Sequence, residues 1–262
     1  LHHNKKLLKI IKQTIMRNLF VVLFALVIVS SSCTSERKFK KLMDDKDNKL
    51  LSQALNMGDM TTSIVAVQSL ISRDTANVIY LDTLSMLYQN TNNQFGLLQV
   101  SKKLLTINPN NMMAQENFAT AAKSLQLYQD ALNSYSQLYG LTNNTRYLYE
   151  VGDIYYRVNN AAQGRQIFEQ ILNNPKSKTD VVPMLVGQNN VLQVPVAAAA
   201  LNYVGFVEAQ QKNYEVAKNL YTKALEVFPG FIIAKNNLAN LEEATKTVKA
   251  PVNAKPFNKK KP

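Results

Sequence analysis

Thiols, imidazoles and closely spaced carboxylates are the side chains that most often do chemistry, and this chain of 262 residues holds one cysteine, Cys33, and two adjacent histidines, His2 and His3. A lone thiol forms no internal disulfide, so Cys33 is a buried spectator, an intermolecular link, a reactive group or a modified residue. With both histidines at the start of the sequence, no Cys/His metal set and no nucleophile–base pair can be drawn. Carboxylates are more plentiful, but Asp44, Asp45 and Asp47 read as a charged helix start. Glu242 and Glu243 are sequence neighbours that point to different sides of a helix. The eight glycines occur singly, which gives no phosphate-cradling loop. A carboxylate pair can be assembled from distant residues, yet nothing here designates one. The expectation is a chain with no catalytic residues, no metal and no cofactor.

The surroundings of Cys33 decide among its roles. Leu19 to Val29 is an unbroken run of eleven apolar residues, preceded by Lys5, Lys6, Lys9, Lys12 and Arg17, with no acid before Glu36. That is the basic region and apolar region of an export leader. The run falls short of the roughly 20 residues that a membrane span needs, and Lys12, Gln13, Arg17 and Asn18 stop it from extending backwards. Ser30, Ser31 and Ser32 supply the small residues of a cleavage site, Cys33 follows at once, and Met16 reads as the natural start. This stretch resembles the lipobox of bacterial lipoproteins. The usual box begins with Leu where Ser30 stands, and a plain signal peptide or an uncleaved anchor are the other readings. The resemblance implies a leader over 1–32, a lipid on Cys33 and a Gram-negative envelope location. Thr34, rather than Asp, after the cysteine implies the outer membrane. The basic Arg37, Lys38, Lys40 and Lys41 are unlike the acidic signal for surface display, so the body is expected to face the periplasm.

The formal net charge of +12 belongs to the two ends. Residues 1–32 hold five of the 30 Lys and Arg and residues 246–262 hold six more, with none of the 18 acids in either segment. The remaining body is nearly neutral, which argues against a nucleic-acid-binding face. A body of about 213 residues with few Gly or Pro favours a helical core.

Internal repeats give that core its organisation. Val204, Gly205, Ala217, Tyr221, Ala224 and Pro229 set a frame that returns upstream as Leu148, Val151, Gly152, Tyr155, Gly164 and Phe168. Earlier copies carry Phe118, Ala119, Ala122, Ala131 and Tyr135, then Leu81, Leu84, Ser85, Tyr88, Leu97, Leu104 and Pro109. The most degenerate copy keeps Gly58, Asp59, Ser63, Val67 and Leu70. Small residues such as Gly152, Gly205, Ala131 and Ala217 let antiparallel helices approach, and Phe168 or Tyr221 fills the space beside them. The frame resembles the tetratricopeptide repeat. That resemblance implies an all-α helical-repeat superhelix of about four helix pairs with a capping helix over Ile232 to Thr245. The boundaries follow as a lipid-proximal linker over 33–43, repeats over 44–178, an insertion over 179–197, and a last repeat with cap over 198–245. The insertion places two β-branched runs around Gly187 to Asn190. It reads as a short β-hairpin or extended arm, Pro183 and Pro195 confining any strands to edges, or as a linker packed over the helices. The Lys/Pro-rich 246–262 cannot build a core and reads as a disordered tail, solvated or in contact with an anionic envelope polymer.

A repeat array offers a concave surface lined by the first helix of each pair. In the Leu148 copy the stripe beside the buried one is Arg146, Tyr149, Asp153 and Tyr156, two tyrosines flanked by opposite charges, the composition of an interface hot spot. The stripe carries Glu116, Thr120 and Lys123 one copy earlier and Asn202 and Phe206 one copy later, and Asn236 and Asn240 continue it into the cap. The opposing reading packs the tyrosines between adjacent repeats and leaves the asparagines as surface residues. Asp74 to Ala76 resembles an O-glycosylation motif of exported proteins and marks Thr75, in the loop between the first two copies. The favoured function is a membrane-tethered, noncatalytic protein-interaction scaffold of the cell envelope, in an outer-membrane assembly or secretion complex, with a protein or peptide in the groove. A peptide or glycan capture module for uptake is the alternative, and a cell-wall enzyme is disfavoured by the missing catalytic set.

Overall fold

The computed structural model describes residues 36–187 and 190–249. The expected leader over 1–32, the rest of residues 1–35 including Cys33, Gln188, Asn189 and the residues from Ala250 lie outside the described residues. Within them are eleven α-helices and one antiparallel hairpin. They divide into two compact units, one ending at Gly96 and one beginning at Leu97. The first unit holds α1 (36–56), α2 (Met60–Arg73), α3 (Val78–Asn90) and the start of α4 (Gln94–Ile107). The second continues α4 and adds α5 (Met112–Ser124), α6 (Tyr128–Thr142), α7 (Thr145–Arg157) and α8 (Ala161–Asn173). A 3-10 turn (Pro175–Lys178), β1 (Val181–Val186) and β2 (Asn190–Pro195) follow, then α9 (Val196–Gln210), α10 (Tyr214–Val227) and α11 (Ile232–Lys249).

In sequence these helices form five successive pairs and a remainder, α11, one pair more than the four expected. Residues 36–43, expected as a linker, are the first turns of α1, and α11 runs four residues past the expected end of the cap. The repeat is enforced by its turns. Inside each pair one residue takes the left-handed conformation: Gly58, Asn92, Gln126, Asn159 and Lys212, with φ between 54° and 71°. Their spacings are 34, 34, 33 and 53 residues, against the 34-residue period of tetratricopeptide repeats. The 19 extra residues of the last interval match the length of the 179–197 insertion. At each turn the following amide reaches back five residues: Asp59 to Ala54, Asn93 to Tyr88, Leu127 to Ala122, Asn160 to Tyr155 and Asn213 to Glu208, at 2.8–2.9 Å. The left-handed residue itself donates to the carbonyl three back. This is the Schellman arrangement, which satisfies the last carbonyls of the first helix.

Asparagine then starts many of the helices. The side chains of Asn77, Asn111, Asn144 and Asn160 accept from the amides of Tyr80, Ala114, Arg146 and Gln163 at 2.9–3.3 Å, and Asp59 does the same for Thr62. Each satisfies a donor that the helix leaves open. Between the helices of a pair, small meets large as expected. A Cβ built on Gly152 would stand 3.0 Å from the Phe168 ring and one on Gly205 2.8 Å from Tyr221, so neither position admits a side chain without displacing the partner ring. Phe168 and Tyr221 are fully buried, and each ring stabilises the array by roughly 1.5–3 kcal/mol.

The hairpin pairs Val182 with Val194 and Met184 with Leu192 across its inner face. Both valines sit in the core with Phe168, Ile171, Val196, Leu201 and Phe231. The outer face carries Pro183 and Leu185, the latter opposite Val191. Its base is tied to α7: the Asp180 carboxylate accepts from the Thr145 amide and hydroxyl, both at 2.8 Å, and the Asp180 carbonyl accepts from the Val196 amide at 2.9 Å.

Candidate interaction groove

In the second unit the first helices of two consecutive pairs, α5 and α7, together with α6 and Pro183 of β1, enclose a groove of about 450 Å³. Helix α5 presents Glu116, Thr120 and Lys123, and α7 presents Arg146, Tyr147 and Glu150. The walls are polar and their charges are matched in pairs. Arg146 meets Glu116 at 2.9 Å, its guanidinium lies 4.8 Å over the Tyr147 ring, and the Tyr147 hydroxyl donates to Glu116 at 2.9 Å. Lys123 bridges Glu150 and Asp153, the latter at 2.6 Å. Arg157, at the groove, reaches the same Asp153 at 2.8 Å, and the Tyr203 hydroxyl of α9 donates to its other oxygen at 2.9 Å.

Asp153 is 5% exposed. Burial alone would raise its pKa, but Lys123, Arg157 and Tyr203 outweigh burial and hold the carboxyl below its usual range. Burial likewise works against the Lys123 ammonium, and Glu150 and Asp153 outweigh it, so the lysine sits above its ordinary value. The array is thus a fixed set of paired charges spanning two helix pairs. It can meet a polar chain with pre-oriented groups, and it leaves no unpaired charge of one sign to define a ligand.

Of the residues singled out from sequence, Glu116, Thr120, Lys123 and Arg146 line this groove and Asp153 lies beneath it. Tyr149 and Tyr156 are placed differently. Their rings pack with Phe168 and Tyr203, centroids 5.1–6.1 Å apart, and Tyr156 also covers Gly164, where a Cβ would stand 2.6 Å from its ring. Burial pushes the Tyr149 hydroxyl far up from its ordinary pKa. Asn202 is buried and accepts from the Asn237 side chain at 2.9 Å. Phe206 and Asn240 are exposed. Asn236 lines a second cavity, about 410 Å³, with Leu185, Val186, Gly187, Ile232 and Ile233. Thr75 lies exposed in the turn between α2 and α3.

Sequence reasoning passed over Glu150, Arg157, Tyr147 and Tyr203. One signal was available: Lys123 and Asp153 both lie on the stripe beside the buried one, in consecutive copies and three repeat positions apart, so opposite charges stand within reach on adjacent first helices. Among the described residues no group of three or more His, Cys, Asp or Glu side chains could hold a metal ion. No described helix is long and apolar enough to cross a membrane.

No protein-family model matches the chain. It is 35% identical over 69 residues to the uncharacterized protein ycf37 of Porphyra purpurea, and 36% identical over 61 residues to the protein of that name from Pyropia yezoensis. These matches cover 25% and 23% of this chain, and only 40% and 34% of the length of the two relatives. Similar solved structures include a tetratricopeptide repeat protein from Parabacteroides merdae, with TM-score 0.55 and 17% identity over 78% of this chain and 74% of that one. MamA is similar at TM-score 0.53 and 16% identity, covering 68% of this chain and 94% of its own. YrrB, described as a tetratricopeptide protein with an unusual peptide-binding site, is similar at 0.51 and 13%, over 71% and 87%. With the Schellman turns at near 34-residue spacing and the glycine–ring interlocks, these likenesses show the fold: an all-α helical-repeat array of tetratricopeptide type.

Proposed function

We propose that the chain is a noncatalytic protein-interaction scaffold whose α5–α7 groove holds a segment of a partner protein. The observation that carries this reading is the groove itself, built from the first helices of adjacent pairs, of a size for several side chains and walled by pre-oriented hydrogen-bonding groups. The peptide site for which YrrB is described lends the same use to a relative in fold. Tethering belongs to the proposal as well. The basic and apolar leader and the small residues before Cys33 support a lipid on that thiol and an outer-membrane lipoprotein facing the periplasm, within an assembly or secretion complex. The exposed turn at Thr75 supports an O-glycan there.

The test is co-purification from detergent-solubilised envelope, comparing wild type with Thr120→Trp. Thr120 is exposed on α5 and its hydroxyl lies 3.2 Å from that of Tyr135 on the groove wall, so an indole there occupies the groove without entering the core. A stoichiometric protein partner should accompany wild type and be lost from the variant, while the melting transition stays within about 0.5 kcal/mol of wild type, as for surface substitutions. Recovery of the same partner with both chains, or of a glycan without protein, defeats the reading.

A further inference from the structure

Helix α1 has two unlike faces. Asp47, Leu51 and Ala54 are buried, and Asp44 and Asp47 each meet Arg73 of α2 at 2.6 Å. Away from that packed side, Phe39 and Leu42 are each 65% exposed and Leu50 is 39% exposed. Spacings of three and eleven residues put all three within one sector of the helix surface. Lys38, Lys46 and Lys49 are exposed on the same side, and Arg37, Lys40 and Lys41 are exposed on the other faces of the first turns, against only Glu36 and Asp45 among exposed acids of the helix. Arg73 has taken up the other two carboxylates. Held below its ordinary range by its hydrogen bonds from Ser69 and Arg73, Asp47 stays ionised and bound to α2. A folded helix that displays a phenyl ring and a leucine flanked by Lys38, Lys46 and Lys49 has the pattern of an interfacial helix, apolar side chains reaching the acyl boundary and cations meeting lipid phosphates.

We infer that the first turns of α1 lie on an anionic lipid surface, with Phe39 and Leu42 entering it. Charge complementarity selects this occupant over an uncharged bilayer. The inference shares the membrane location with the proposed function, and Phe39 is only six residues from Cys33, but it does not require a native lipid on that cysteine.

The chain contains no tryptophan and one cysteine, which supplies both the probe and the tether. Phe39→Trp places a single indole on the exposed face, and coupling Cys33 to a maleimide-headgroup lipid fixes the full chain to vesicles whether or not the cell acylates it. On vesicles rich in phosphatidylglycerol the indole emission should shift to the blue and fall to roughly half or less when the acyl chains are brominated, since an interfacial helix buries its apolar face at that depth. On phosphatidylcholine vesicles it should keep its solution spectrum. Converting Lys38, Lys46 and Lys49 to Gln, or raising salt to about 1 M, should abolish the quenching. Leu42→Trp should behave as Phe39→Trp does, and a circular dichroism melt verifies that each variant is folded. An indole that stays unquenched in the tethered, folded chain on phosphatidylglycerol overturns the inference, as does equal quenching on both lipids. Failure of native acylation at Cys33 would undo the anchor reading and leave this result standing, because the tether here is chemical.

Discussion

At the scale of single residues, the stripe Arg146, Tyr149, Asp153 and Tyr156 separates into two kinds of side chain. Arg146 and Asp153 belong to the charge network of the groove, whereas Tyr149 and Tyr156 surround Phe168 and Tyr203 as an aromatic cluster between α7, α8 and α9. Ring contacts of this geometry add about 0.5–1.5 kcal/mol to the area each ring buries. Tyr149→Ala should therefore lower the melting temperature in the same direction as Phe168→Ala, for which a loss of about 3–5 kcal/mol is expected. Circular dichroism melts of both variants and of Tyr156→Ala measure this. A Tyr149→Ala protein that melts with wild type and still loses the partner would return that tyrosine to the binding surface. The sequence contained both possibilities for a physical reason. Residues one step round the helix from the buried stripe face the groove in an open array and face the next helix pair where large rings fill the junction. Only the position of Tyr203 decides between them.

At the scale of elements, most of the fold was legible because each repeat states its own geometry. Gly152 opposite Phe168 and Gly205 opposite Tyr221 were readable from spacing, as was the hairpin from β-branched runs around Gly187. The number of pairs and the extent of α1 were harder to read, since residues 36–43 carry many charges and no buried stripe. The turns hold a further consequence. Gln126 and Lys212 occupy a left-handed conformation at φ 61° and 65°, where the equivalent residue of the first pair is Gly58. A side chain there costs of order 1–2 kcal/mol against glycine, offset in part by the greater freedom that glycine gains in the unfolded chain. Lys212→Gly and Gln126→Gly should each raise stability by about 0.5–1 kcal/mol, whereas the β-branched Lys212→Val should lower it. Chemical denaturation with an unchanged slope measures both. A glycine variant less stable than wild type would mean that the exposed side chain makes a contribution the turn geometry does not contain.

At the scale of the whole molecule, charge and chemistry are distributed unevenly along the chain, and that distribution bears on where it works. The excess of Lys and Arg sits in residues 1–32 and 246–262, both acid-free, around a nearly neutral helical body. In an exported lipoprotein these ends have separate fates. Under the lipoprotein proposal the leader would be removed before Cys33 and the lysine tail would remain on the mature chain. The proposed acyl groups on the cysteine and glycan on Thr75 are then covalent additions at two positions that single substitutions can remove. Mature protein from the native host, fed a clickable palmitate analogue, should be labelled as wild type and unlabelled as Cys33→Ala, because no other thiol can carry the thioether. Intact mass on the same samples should place the wild-type N-terminus at Cys33 with the acyl groups added, and Thr75→Ala should lack any glycan mass that wild type carries. Since one myristoyl-length chain binds membranes only marginally and stable anchoring takes a second signal, partial retention of Cys33→Ala in the membrane fraction, lost on raising salt, is the pattern expected when the basic face of α1 supplies the second contact. A variant that stays fully labelled, or an N-terminus that retains the apolar run with an unmodified thiol, would remove the anchor and leave the helical array without its assigned location.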